Sequence, residues 1–352
     1  MTQKKKSKRL WKILGLTLAS LIGLFSLLAG AIALKPQLVI SVIQSAMYPN
    51  GKAINPTEPL NPPSQQVKEN GIYYRNDIDY GSTYPNSFLD ISYPSEDTSV
   101  DRPTIIYFHG GGFFGGDKAM GDPLAANNDS NYLFDQLVQE GYHLVNVNYV
   151  LVPDYHFPDP IVQMNEAVNY LVDHQTELGL NMNKVIFFGQ SAGAIMVGQY
   201  GAILSNPDYR ALYPLTQDPK LTSSQVKAMV IDDAPFQIPS GNLALDLMIS
   251  NYLDDNLLWQ QKELLQSYNP IPNLTADYPR SIMLAGTADG FPEDMRAFSD
   301  NLSQLGVENT YFHTDKETYG LTAHGYLSNL KYDKTGAAQA AYKMILDFIS
   351  QP

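Results

Sequence analysis

The apolar, β-rich run Lys184-Val-Ile-Phe-Phe188 leads directly into Gly189-Gln-Ser-Ala-Gly193, and Ala192 to Leu204 behind it is a mostly apolar stretch of helical length. A G-x-S-x-G pattern between a strand and a helix has mechanical meaning. The sharp turn holds Ser191 at the C-terminal edge of a sheet, and the glycines permit strand and helix to approach closely. The rest of the sequence repeats the alternation. Thr104–His109 and His143–Tyr149 read as strands, separated by a helix from Tyr132 to Gln139. Ile161–Asp173 has helical spacing, further strands fall at 228–231, 281–285 and 310–313, and a closing helix runs from about Gly336 to Ile349. Strands spaced by helices of this length imply βαβ crossovers, hence an α/β fold with a mainly parallel sheet covered on both faces.

Composition narrows the function. The 352 residues are 44% apolar and 17% charged, which suits one large domain or two small ones with a sizeable core. The absence of cysteine excludes disulfides, a thiolate metal centre and a cysteine nucleophile. A net charge of −13 argues against nucleic acid, whose binding rests on basic contacts to phosphate.

That average conceals an asymmetry. Six basic residues lie within the first twelve positions, no acid precedes Glu58, and the 22 residues from Ile13 to Leu34 carry no charge. Such a run spans roughly 33 Å as a helix, enough to cross a bilayer core of ~30 Å. The cationic start then stays cytoplasmic and the rest of the chain faces outward. Two forms of export are expected, an uncleaved membrane anchor or a signal peptide cut after Ala31-Ile32-Ala33. Beyond Leu34 the chain has 17 basic and 36 acidic groups, a net −19 that should repel anionic surfaces. The expected organisation is therefore an address and anchor over 1–34, a juxtamembrane and Pro-rich linker over 35–64, and a catalytic domain over 65–352. Leu38–Met47 could lie on the membrane or pack on that domain.

Ser191 is the candidate nucleophile. His109-Gly-Gly-Gly-Phe113 ends the strand at 104–109, and its glycines can point N–H groups at the oxyanion of a tetrahedral intermediate. The loop fails the phosphate-binding pattern, because no Gly-Lys-Ser/Thr follows and Asp117 would repel phosphate. His109 is read as fixing the loop. Of six histidines, His324 lies in a loop after the last strand, on the sheet edge where a base for Ser191 must stand. Asp289 follows strand 281–285 and is the acid expected to hold the histidine tautomer. Glu293 and Asp294 are alternatives, but they follow Pro292 and are expected to serve a helix N-terminus facing solvent.

Together these motifs resemble α/β-hydrolases of the hormone-sensitive-lipase-like carboxylesterase group, over about residues 100–350. Asn148-Tyr-Val-Leu-Val-Pro-Asp154 is similar to that group's Tyr-Arg-Leu-Ala-Pro-Glu segment, with Val150 in place of Arg and Asp154 in place of Glu. The chain order Ser191, Asp289, His324 also matches. The resemblance implies a Ser191–His324–Asp289 triad and oxyanion donors at the backbone N–H groups of Gly111, Gly112 and Ala192. It implies a cap built from about 65–100 and from segments after the nucleophile helix, and a reaction needing neither metal nor organic cofactor. The expected substrate is a small-molecule or glycan-linked ester with a short acyl group. The alternatives are an exported peptidase of the same fold and an inactive binding module. Leu253, Leu257, Leu258, Trp259, Leu264, Leu265 and Tyr268 are expected to wall an acyl pocket.

Overall fold

In the computed structural model, which describes residues 30, 35–47, 54–125, 128–288 and 291–351, nine strands form one sheet in the order β1-β2-β3-β5-β4-β6-β7-β8-β9. They are β1 (Ser64–Val67), β2 (Tyr73–Asp79), β3 (Phe88–Tyr93), β4 (Pro103–Phe108), β5 (His143–Val147), β6 (Asn181–Gln190), β7 (Val226–Asp232), β8 (Ser281–Ala285) and β9 (Asn309–His313). The six from β4 onward pair in parallel with one another, and β1, β2 and β3 extend the sheet antiparallel, β3 joining β5. This corrects the expectation for residues 65–100, which contribute sheet and not cap. The polar sequences of β1 and β2, such as Tyr-Tyr-Arg-Asn-Asp-Ile-Asp in β2, suit an antiparallel edge that is covered less completely than a parallel centre, whereas β3 is buried along its length.

Side-chain parity explains the layering. In β4, Ile105 and Tyr107 belong to one core cluster while Ile106 and Phe108 belong to the other, as alternation along a strand requires. The first cluster is closed by α2 (Ser130–Gln139) and the C-terminal helix Ala337–Ile349, and the second by α3 (Asp159–Leu178) and α4 (Ala192–Ser205). α3 begins with Asp159 and Pro160 and stops at Gly179 in the left-handed region. Its Ile161, Met164, Val168 and Leu171 are buried, each such side chain worth about 1.5–3 kcal/mol of transfer free energy. Among the described residues no helix is long and apolar enough to cross a membrane, and the segment 13–34 lies outside them apart from residue 30.

Two elements stand over the C-terminal edge of the sheet. Between β7 and β8 the chain forms α5 (Leu243–Asp254) and α6 (Lys262–Tyr268), the cap expected after the nucleophile helix. Before the sheet, α1 (Gln37–Met47) packs on the domain through buried Ile40 and Gln44. The Pro-rich stretch from residue 54 onward is fixed as well, since Asn55 exchanges hydrogen bonds with the backbone of Leu151 and the Pro56 carbonyl accepts from Asn86. After β8, α7 (Pro292–Gln304) and α8 (Ala337–Ile349) complete the helical layers.

Candidate active site

Ser191 sits at the tip of the turn from β6 to α4 with φ 54° and ψ −116°, a conformation that costs a non-glycine residue of order 1–3 kcal/mol. The surroundings enforce it. The Ser191 N–H donates to the Asp232 carbonyl on neighbouring β7, and the Ser191 carbonyl accepts from Ile195 in the first turn of α4. A methyl group at Gly193 would overlap the Phe108 carbonyl of β4, and one at Gly189 would overlap the Gly193 backbone. These contacts are the close approach that the two motif glycines permit. Gln190 completes the brace, its amide donating to Asp232 and its carbonyl oxygen accepting from Ser328 in the histidine loop.

His324 stands in the loop after β9. Its Nε2 lies 2.9 Å from Ser191 Oγ, the distance of a hydrogen bond. The Phe291 ring stands edge-on against it. The other histidines have structural surroundings. His143 is packed edge-on against Tyr93 in β5, and burial pushes its pKa down to about 4. His156 and His174 bond to the carbonyls of Asn251 and Tyr170, and His313 ends β9. His109 is buried and stacked on Tyr149, with Nδ1 2.7 Å from the Gly110 carbonyl. Burial lowers its pKa, so the ring is neutral, donates through Nδ1–H and pins the glycine loop.

Asp289 lies outside the described residues. Two other carboxylates face the ring, and the sequence reading missed both. Asp233 Oδ2 is 3.6 Å from Nδ1, and Asp122 Oδ2 is 3.5 Å from Nε2, both residues having no solvent exposure. Asp233 follows β7 directly, with φ 58°. It accepts the N–H of Gly286 after β8 and of Gly325 beside the histidine, so one carboxylate ties two site loops together. The available signal was its position at the C-terminal end of a parallel strand next to the nucleophile strand. Asp122 packs on Gly110 of the glycine loop, and its second oxygen caps the Leu124 N–H.

Asp294 corrects an expectation. It is buried, and one carboxylate oxygen accepts the N–H groups of Phe236 and Gln237, joining α7 to the loop after β7. Burial pushes its pKa up to about 6 against those two hydrogen bonds. Glu293 is exposed, as expected.

The glycine loop faces the serine. Gly112 and Ala192 line a cavity of about 610 Å³ together with Phe113, Ser191, Met248 and His324. Gly111 and Gly112 take φ of 112° and 59°, and the Gly111 carbonyl accepts from Phe114 and Gly115 to close the turn. Behind the loop, Lys118 is buried between Asp90 at 2.7 Å and Asp77 at 3.0 Å. Burial alone would lower the lysine pKa, but the two carboxylates override it and the net shift is upward. Val150, where the similar segment has Arg, is buried and donates its N–H to Gln163. The expected acyl wall is different. Leu257, Leu258, Trp259 and Leu265 line another cavity, of about 550 Å³, while the serine cavity is walled by α1 and α5. Among the described residues there is no group of His, Asp or Glu side chains suited to a metal.

The family model described as BD-FAE matches residues 89–293, more than half of the chain. The chain belongs to the BD-FAE family. This family is of the hormone-sensitive-lipase-like α/β-hydrolase type that the motifs resembled. Similar curated proteins include an AB hydrolase superfamily protein of Schizosaccharomyces pombe, 24% identical over 59% of this chain and 60% of that protein. Another is the ethyl acetate hydrolase of Pseudomonas putida, 23% identical over 61% of this chain and 64% of that protein. The chain thus matches less than two thirds of the length of these relatives. Among solved structures, a Lactobacillus rhamnosis esterase B bearing a tributyrin phosphonate inhibitor has the same fold, with a TM-score of 0.66 and 19% identity. That match covers 92% of this chain and 96% of the other.

Proposed function

We propose that this BD-FAE family protein is a serine hydrolase of carboxylic esters. The observation that carries the reading is the 2.9 Å contact between Ser191 Oγ and His324 Nε2 at a strained strand-to-helix turn inside a cavity. Ser191 Oγ attacks the ester carbonyl carbon while Nε2 takes its proton. The oxyanion is held by the backbone N–H groups of Gly111, Gly112 and Ala192, donors aimed at charge that develops only in the transition state. The imidazolium then returns the proton to the leaving alcohol. Water, deprotonated by the same Nε2, attacks the acyl-enzyme, releasing the acid and restoring the serine.

Asp289 is the proposed triad acid, and the Asp233 carboxylate beside Nδ1 supports the same ring. Short acyl or acetyl esters suit the reading, and relatives named ethyl acetate hydrolase and acetyl esterase favour it. The uncharged run after a cationic start supports export, with the catalytic domain outside the cell, held by the run or released after cleavage. The test is turnover of p-nitrophenyl acetate by the purified protein and by Ser191→Ala. Loss of turnover in the variant supports the proposal, and equal turnover rejects it.

A further inference from the structure

Helix α1 belongs to two settings at once. Pro36, Ile40 and Ile43 line the catalytic cavity, facing Leu247 and Met248 of α5. Gln44 locks the helix in place, its amide donating to the carbonyls of Phe114 at 3.0 Å and Val152 at 2.7 Å. One turn apart on a different stripe of the same helix, Leu38 and Val42 are 53% and 71% exposed. Upstream, Lys35 alone separates Pro36 from the uncharged run Ile13–Leu34, whose length matches a bilayer core. Two residues reach no more than about 8 Å. A run held in a bilayer therefore delivers the wall of the cavity to the lipid surface.

Charge leaves little choice in how that surface is met. The chain after Leu34 carries a net −19, so it does not approach lipid headgroups by electrostatic attraction. Apolar contact and the tether remain. We infer that the exposed stripe of α1 rests on a lipid bilayer and that the substrate is an acyl ester of a membrane amphiphile. Its acyl chain leaves the bilayer past Pro36, Ile40 and Ile43, and its carbonyl reaches Ser191. The inference rests on the serine-esterase reading, keeps its site and reaction, and departs from it in the acyl group, which becomes the chain of a membrane lipid in place of a short acyl or acetyl group.

The experiment uses the full chain in phosphatidylcholine vesicles that contain a fluorogenic long-chain acyl ester, with p-nitrophenyl acetate as the soluble substrate. The readout is the ratio of embedded-ester to soluble-ester turnover. A 20-residue Gly/Ser spacer inserted between Leu34 and Lys35 gives the cavity a mean reach of about 25 Å from the bilayer. It should lower the ratio at least tenfold, because effective concentration falls as a tether lengthens. The double change Leu38→Ser and Val42→Ser should lower the ratio in the same direction. An unchanged ratio in both variants overturns the inference while leaving the esterase reading intact. So does a full chain whose specific turnover of both esters falls alike on dilution of the protein and is lowered alike by the double change, which would give the stripe to a second copy of the chain. A full chain that hydrolyses neither ester overturns the esterase reading and the inference together.

Discussion

His324 Nδ1 lies 3.6 Å from Oδ2 of Asp233, a carboxylate closed off from solvent. The same carboxylate receives the N–H groups of Gly286 and Gly325, so it fixes the loop leading toward Asp289 and the loop bearing the histidine. The two acids should therefore fail differently. Asp289→Asn should lower kcat by at least ~10², since the corresponding change in serine proteases costs ~10⁴ through the wrong tautomer. Asp233→Asn keeps an acceptor for one of its N–H donors and should cost about tenfold, with a lower Tm from the loosened loops. Steady-state kinetics and melting of the two variants check this. The reverse order would make Asp233 the triad acid.

Asp122 faces the other nitrogen of the same ring, 3.5 Å from Nε2. A negative charge there favours the imidazolium that forms as Ser191 gives up its proton. Asp122→Asn should lower kcat by about tenfold, which corresponds to about 1.4 kcal/mol of transition-state stabilisation. Unaltered kcat would assign Asp122 to packing against Gly110.

The turn at Ser191 leaves no room for a side chain on either glycine. In Gly193→Ala the new methyl group would overlap the Phe108 and His109 carbonyls. We expect both lower thermal stability, by several degrees, and loss of most turnover, because displacing α4 moves Ser191 away from Nε2. A variant with normal melting and normal kinetics would show that the turn relaxes freely.

Asp294 and His143 give stability opposite pH dependences. The folded pKa of Asp294 is raised to about 6, so its stabilising contribution is full below the unfolded value near 4 and is lost as pH rises through 6. That of His143 is lowered to about 4, so stability is lost as pH falls from about 6.5 toward 4. In Asp294→Asn the melting temperature should stop declining with rising pH between 4 and 6. In His143→Phe the loss on acidification should shrink. Thermal melts across pH 4–7.5 read both, and parallel curves for either variant and the parent would contradict the assignment.

The parallel half of the sheet was legible because buried central strands are short apolar runs and their crossover helices are regular. Ser281–Ala285 and the helix at 192 begin where the sequence places them. The antiparallel edge strand β1 was not legible, since Ser64-Gln-Gln-Val67 is exposed along its length and carries no core pattern. Ser191 and His324 stood out because motif and loop position converge on them. Asp233 and Asp122 did not, because burial of a carboxylate is a tertiary property with no local signature. Asp294 misled for the same reason. A position after proline fits a solvent-facing helix start, yet the loop at 236–237 folds over it and supplies two donors. The role of α1 depends on Gln44 finding two carbonyls 70 and 108 residues away, which sequence spacing does not reveal.

The central claim is that Ser191 is a nucleophile activated by His324. Labelling with a fluorophosphonate, followed by mass spectrometry of the digested protein, tests it most directly. The expected result is one covalent adduct on the peptide containing Gly189-Gln-Ser-Ala-Gly193, abolished in Ser191→Ala and slowed at least ~10²-fold in His324→Ala. An unlabelled protein, or an adduct of equal yield on another serine in the Ser191→Ala variant, would contradict the account.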